Sequence, residues 1–553
     1  MRRKTRTTFL SLVTTIFLFA SFSLFFSSNQ EKQETITQTN IHSHVHNLII
    51  QEEKEEYHPH VTTSPDSILF PDWEVVVVFS PEYEDADDTF TCVFQNNDTS
   101  PAISSGILPF NKRATFKCIL PNRVRRYRPF YQPIFTTASH PISFPTKSEM
   151  PELFRWNFLA YETLSTENDV ILFVKGVNKH QGMNHVPENL HCVFSNGDKT
   201  PVISSVQEVF RCHHPSYRKN IEEDEKYIKV SLEISENNNR LVVPSVAYYA
   251  PPAQRRTVEK KEKSLICACT MVYNVAKFLK EWVVYHSNIG VEKFFLYDNG
   301  SDDELEKVVN EVLERGYRVE TILWPWTKTQ EAGFSHCATY ANDTCTWMMY
   351  IDVDEFIFSP KWLSAPHPSS HMLTSFLPKK RPNAHVSILP QIGQVMIMCY
   401  EFGPSNQRVH PVKGVMQGYT CRTRIEQRHK SIVLLDAIDV SLLNVIHHFE
   451  LENGYRVKKL SSEEGVVNHY KYQAWSEFKT KFRRRVSAYV VDWKQEVNPK
   501  SKDRTPGLGF EPVEPKGWIN KFCDVQDYRL KNVTQRWFGL GSSSGYKMAW
   551  QDV

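Results

Sequence analysis

The chain is 553 residues long, more than one ordinary hydrophobic core accommodates, so at least two folded domains are expected. Its formal charge is +2, with 65 Lys and Arg against 63 Asp and Glu, which excludes any global attraction to nucleic acid or other polyanions. Aromatic residues make up 12%, which suits flat-faced ligands and large cores alike.

Residues 8–26 are uncharged and apolar, about long enough to cross a bilayer as a helix. Arg2, Arg3, Lys4 and Arg6 precede them, and the positive-inside rule keeps that end cytosolic and the remainder lumenal. A cleaved signal peptide is the competing reading; the apolar stretch is long for one. Residues 1–30 are therefore assigned to a tail and transmembrane anchor, and residues 31–66, rich in Gln, Glu, His and Thr, to a stem. Four Asn-x-Ser/Thr sequons, at Asn97, Asn299, Asn342 and Asn532, fit a secretory route.

Residues 67–255 are rich in short β-type runs and contain a repeat. Cys92-Val93-Phe94, Asp98, Pro101, Ser104-Ser105 and Phe116-Lys117-Cys118 recur as Cys192-Val193-Phe194, Asp198, Pro201, Ser204-Ser205 and Phe210-Arg211-Cys212. Each copy reads as strand, turn, strand, closed by its own disulfide, Cys92–Cys118 and Cys192–Cys212, and the whole as a β-sandwich. Cys399 and Cys421 are a further pair that could staple a loop, and with eleven cysteines at least one thiol is left over.

A Pro-rich, then charged stretch at 250–263 marks a linker, and residues 256–553 form the second domain. Strands are expected at 265–270, 293–297, 317–324 and 347–351, with helices between them through Val275–Ile289, Leu305–Leu313 and Gln330–Ala341. That alternation implies a mainly parallel sheet covered on both faces, with ligands at the carboxyl ends of its strands. Two acidic clusters fall there: Asp298-Asn299-Gly300-Ser301-Asp302-Asp303 and Asp352-Val353-Asp354-Glu355. Alternate carboxylates on extended backbone point the same way, so Asp352 and Asp354 could share a hard divalent cation with diphosphate oxygens and water. A lone acidic triplet is a weak signal, but this one ends an apolar strand and runs straight into Phe356-Ile357-Phe358.

The ordered set Asn274, Phe278-Leu279, Glu281-Trp282, Tyr285-His286, Gly290-Val291, Tyr297-Asp298-Asn299, Ser301, Asp303, Gln330, Trp347 and Ile351-Asp352-x-Asp354-Glu355-Phe356 resembles glycosyltransferase family 92. The resemblance covers most of 264–490. It implies an α/β GT-A fold, Rossmann-like, for 256–553. The β-sandwich, carbohydrate-binding-like, and the anchored layout are most similar to plant galactan synthases. That implies UDP-galactose as donor, Mn2+ (or Mg2+) as cofactor, and inversion at the anomeric carbon. The acceptor is then the β-1,4-galactan of rhamnogalacturonan I side chains in pectin, and the location a Golgi membrane with single-pass type II topology. A homodimer is compatible with it. A same-fold transferase using another sugar or an N-glycan acceptor, and an inactive lumenal glycan-binding protein, are the alternatives.

By position in the motif, Asp352 and Asp354 are the metal and diphosphate ligands. Asp298 and Asp302 face uracil and ribose, with Asn274 and Gln330 on the same nucleotide side. His469 is the expected third metal ligand, with His447 and His448 competing. Inversion needs a base for the acceptor hydroxyl; Glu401, Asp436 and Glu426 are candidates. The basic run from Lys479 through Arg485 reads first as a solvated face. Trp73, Tyr127, Tyr131 and Trp156 are candidate sugar-stacking rings, more readily explained as core.

Overall fold

A computed structural model describes residues 65–551, except 82–89, 127, 138–142, 145–149, 179–183, 217–226, 237–238, 252–261, 380–389, 481–506, 509–510, 513 and 543–544. The expected anchor, almost all of the stem, Tyr127, most of the linker and the basic run beyond Thr480 lie outside the described residues. Among the described residues no helix is long and apolar enough to cross a membrane. The chain divides into Met1–Thr63 and Ser64–Val553, and every described residue belongs to the second unit.

The repeat seen in the sequence is the core of a longer duplication. The first copy runs Asp66–Leu69, Glu74–Val78, Phe90–Val93, the pair Thr99–Pro101 and Ile103–Leu108, Arg113–Ile119 and Ile134–Thr137; the second runs Leu159–Ser165, Val170–Lys175, Leu190–Phe194, Lys199–Val206 in place of that pair, Val209–Cys212 and Ile228–Glu236. Corresponding strands pair in the same way. Cys92 faces Ser100 as Cys192 faces Thr200, and Val75 faces Cys118 as Val170 faces Cys212. Both expected disulfides, Cys92–Cys118 and Cys192–Cys212, are present. Each copy has its own core, around Val77, Phe94 and Phe116 in one and Leu172, Phe194 and Phe210 in the other.

From Ser264 the expected alternation is observed: β1 Ser264–Val272, α1 Ala276–Ile289, β2 Lys293–Asp298, α2 Leu305–Glu314, β3 Val319–Leu323, α3 Gln330–Tyr340 and β4 Cys345–Tyr350. Gly290 ends α1 with φ of 125°, a conformation that few side chains tolerate, and a Cβ there would come within 2.3 Å of the Ser370 carbonyl oxygen. Strands β5 Glu355–Phe358, β6 Gln391–Glu401, β7 His429–Leu434, β8 Tyr455–Lys459 and β9 Val466–His469 complete a nine-stranded sheet. Its order is β3-β2-β1-β4-β7-β6-β9-β5, with β8 beside β6. The first four strands are parallel, and β7 enters antiparallel between β4 and β6.

Side chains alternate across β1 and β2. Ile266, Ala268, Phe294 and Leu296 pack under α1 and α2. Cys267, Cys269, Phe295 and Tyr297 face the other way, where α3 and both β copies cover them, so the duplicated region and the α/β sheet share one core. Cys267 is bonded to Cys345 and Cys269 to Cys337, tying β1 to β4 and α3. The suggested Cys399–Cys421 staple does not form. Cys421 is bonded to Cys523, and Cys399, on β6 with its side chain in the core, is a free buried thiol. Trp156 also belongs to this core: it stacks on Trp326 at 5.8 Å and is 5% exposed, which removes it as a sugar platform. Trp73 and Tyr131 are half-buried.

Candidate active site

Strand register brings the two acidic clusters to one edge. Val272 of β1 faces Asp298 of β2, and Cys269 faces Tyr350 of β4, so Asp352 comes level with Met271 on the opposite flank of β1. Two strand spacings separate the clusters, roughly 10 Å, a span that a nucleoside diphosphate can bridge.

The first cluster is an ordered loop pair. Asp298 Oδ1 accepts from the Ser301 backbone N at 3.0 Å and from Ser301 Oγ at 2.7 Å. Ser301 Oγ in turn accepts from the Asn274 N at 2.9 Å. The Asn274 side chain, at a residue with φ of 51°, donates to Asp302 and accepts from the Asp302 N. Asp303 accepts from the Ala276 N at 2.9 Å, which satisfies a donor at the start of α1. Burial raises the Asp298 pKa above its ordinary value, opposed by its bonds from Ser301. Asn274, Asp298 and Asp302 are thus joined, through Ser301, in one hydrogen-bonded group.

The second cluster is built by four strand ends. Glu355 opens β5 and faces His469 of β9, which faces Glu401 of β6. Oxygen and nitrogen atoms of Asp354, Glu355 and His469 lie within 4.8 Å of one another. His469 Nε2 is 3.6 Å from Asp354 Oδ2, and its Nδ1 is 3.3 Å from Glu355 Oε1. Two carboxylates and an imidazole are a donor set that fits a Mn2+ or Mg2+ ion with room for phosphate oxygens.

Asp352 is held differently from the expected second metal ligand. Lys430 Nζ, on β7, lies 3.0 Å from Asp352 Oδ2 and 2.8 Å from Glu355 Oε1, and also contacts His447 Nε2. Gln330 Nε2, at the start of α3, is 3.5 Å from Asp352 Oδ1. Burial alone would raise the Asp352 pKa, but Lys430 and then His447 outweigh it and hold it at about 2. Burial also opposes the charge on Lys430, and Asp352 and Glu355 overcome that and raise its pKa. Glu355, fully buried, is raised by desolvation despite Lys430.

Of the competing histidines, His447 sits beside Asp352 Oδ2 at 3.7 Å, while His448 stacks on His429 at 3.9 Å and is pushed down to about 4 by burial and that neighbour. Neither belongs to the Asp354–His469 group.

Among the base candidates, Asp436 is placed at the wrong end. β7 runs antiparallel to β4, with Leu434 facing Trp347, so Asp436 emerges at the opposite edge, roughly 20 Å from Asp352. It is solvent-exposed and 3.9 Å from Lys263. Glu401 reaches the correct edge but is buried, accepting from Lys471 Nζ at 2.7 Å and Tyr472 OH at 3.2 Å. Glu426 lies in the loop entering β7, also at the correct edge, and is half-buried.

Lys430 was missed by motif reasoning. A lysine inside the strand His429-Lys430-Ser431-Ile432-Val433-Leu434 was the available signal, because a buried ammonium has to find carboxylates.

The family model of glycosyltransferase family 92 matches residues 262–505. A glycosyltransferase family 92 protein of Oryza sativa subsp. japonica is 39% identical over 404 residues, covering 69% of this chain and 67% of that one. One of Arabidopsis thaliana is 38% identical over 415 residues, covering 73% and 70%. The chain belongs to glycosyltransferase family 92. As a family 92 glycosyltransferase it carries its acidic clusters at one edge of an α/β sheet. Solved structures overlap it only slightly. A mannosyltransferase from Pyrobaculum calidifontis, in complex with GDP-Man and Mn2+, gives a TM-score of 0.25 at 11% identity, covering 44% of this chain and 67% of that one. Glucosyl-3-phosphoglycerate synthase from Mycobacterium tuberculosis gives 0.21 at 10% identity, covering 41% and 79%. Overlaps of that size do not bear on the chemistry of the family 92 chain.

Proposed function

We propose that this glycosyltransferase transfers galactose from UDP-galactose to β-1,4-galactan side chains of pectin, with inversion, in the Golgi lumen. The observation that carries the reading is the shared sheet edge, which holds the Asn274–Asp298–Asp302 loops and the Asp354–Glu355–His469 group, with Asp298 and Asp352 two strand spacings, roughly 10 Å, apart. The first would hold the nucleoside, and Asp354, Glu355 and His469 of the second would hold Mn2+ or Mg2+. When bound, the cation offsets the negative charge that develops on the departing diphosphate.

The acceptor hydroxyl oxygen forms a bond to the anomeric carbon as the bond to the UDP oxygen breaks, and a carboxylate takes the hydroxyl proton. With Asp436 at the far edge and both Glu401 oxygens engaged by Lys471 and Tyr472, the base assigned in this reading is Glu426. Gln330 and Lys430 fix Asp352 so that its carboxylate keeps one orientation towards the donor.

The donor and acceptor assignments rest on the likeness of the layout to galactan synthases. They are tested by offering a panel of UDP-sugars with β-1,4-galactan oligomers and with N-glycan acceptors. UDP-galactose with galactan should give the highest turnover, and Glu426→Gln should lower kcat at least tenfold with KM for the donor unchanged. Preference for another sugar, or for N-glycans, would overturn the assignment while leaving the transferase intact.

A further inference from the structure

The second β copy bonds to segments that flank the second acidic cluster. Its hairpin between Lys199–Val206 and Val209–Cys212 turns at Gln207-Glu208, and this tip lies against the α/β sheet. Gln207 is buried and has φ of 54°, a left-handed conformation unfavourable for a residue with a side chain. Its amide Nε2 donates to the Asn444 carbonyl at 2.7 Å, and its Oε1 accepts from the Asn444 N at 3.4 Å. A side-chain amide thus substitutes for a strand edge at that one residue.

Asn444 leads to both halves of the second acidic cluster. Its Nδ2 donates to the Glu331 carbonyl at 3.0 Å and to Ser335 Oγ at 2.9 Å, fixing the first turn of α3, whose opening residue Gln330 reaches Asp352. Three residues beyond Asn444 stands His447, which contacts Lys430 and lies 3.7 Å from Asp352.

The duplicated β region also fastens the loop before α3. Lys175, paired with Glu208 at 2.7 Å, donates to the Lys328 carbonyl at 3.0 Å, and Trp156 Nε1 donates to the Thr327 carbonyl at 3.1 Å. The equivalent hairpin of the first copy packs Phe110 on His336 of α3 at 4.6 Å. Of the two hairpins related by the duplication, one packs on α3 directly and the other reaches it through Asn444.

We infer that Gln207 is a positioning residue for glycosyl transfer: through Asn444 it sets Gln330 and His447 against Asp352, giving the duplicated β region a role in catalysis separate from any binding of glycan. The observations require only that the chain turns over a nucleotide sugar, not that the sugar is galactose.

The test uses the full chain and whichever nucleotide sugar the wild type hydrolyses or transfers. Gln207→Gly removes the amide while relieving the left-handed backbone, so the fold is retained. The melting temperature should stay within a few degrees, while kcat/KM for the donor falls by about 10- to 100-fold, as expected for a small displacement of a positioned group. Gln207→Glu, which keeps the acceptor but loses the donor to Asn444, should fall between the two. Ile203→Ser, on the exposed face of the same copy, should leave donor kinetics unchanged. Unchanged donor kinetics in Gln207→Gly would overturn the inference, and so would a loss confined to KM for the acceptor.

Discussion

Lys430 stands 3.0 Å from Asp352 and bonds it from a strand 78 residues away in sequence. The same ammonium is 2.8 Å from Glu355, whose carboxylate accepts from the Asp352 backbone N at 3.0 Å. One buried cation thereby sets the conformation of the turn that carries both acids of the motif. Replacing it by methionine keeps the volume but strands two carboxylates, one of them fully buried. Lys430→Met should lower the unfolding free energy by about 3 kcal/mol, measured by denaturant titration at neutral pH. A loss under about 1 kcal/mol would mean that the three groups are not coupled.

His469 offers the imidazole nitrogen of the donor set beside Asp354 and Glu355. His469→Ala should raise the Mn2+ concentration for half-maximal activity by at least tenfold, with near-wild-type turnover at saturating metal. Titration of activity against Mn2+ checks this; an unshifted midpoint would remove His469 from the metal site.

Acid sensitivity should trace partly to Asp527. Arg529 and Arg422 bond its carboxylate at 2.6 Å and 2.7 Å. Burial alone would raise its pKa, but those two partners hold it at about 2, below the ordinary 3.8. Because the folded value lies below the unfolded one, the stabilisation is complete above about pH 4 and is lost as pH falls towards 2, about 2 kcal/mol in all. Stability curves from pH 7 to pH 2 should show Asp527→Asn less stable than wild type at pH 7 and converging with it at the acid end. Parallel curves would rule out this contribution.

The first half of the α/β sheet was legible in the sequence because its signals are local. Apolar strand runs and helical spacing mark β1 to β4 and α1 to α3, and their observed bounds differ from expectation by only a residue or two in most elements. The cysteine repeat likewise gave both β-copy disulfides, although the full six-strand duplication shows only in the pairing, since the outer strands share a register and not a motif. What stayed hidden depends on long-range topology. β7 enters antiparallel, and that alone sends Asp436 to the far edge and brings Lys430 to Asp352. Cys421 finds Cys523, 102 residues on, rather than Cys399, because Cys399 points into the core of β6. Gln207 carries no motif at all; its importance comes from a hairpin tip meeting a loop 237 residues away.

The central claim is that Asp354 helps grip a divalent cation that carries the donor diphosphate. The most direct measurement is sugar transfer by Asp354→Asn beside wild type, each assayed with EDTA and with Mn2+ restored, together with the melting temperature. Wild-type activity should vanish in EDTA and return with Mn2+, while Asp354→Asn, still folded, should lose at least 100-fold and gain nothing from added metal. Full activity of Asp354→Asn, or transfer by wild type undiminished in EDTA, would contradict it.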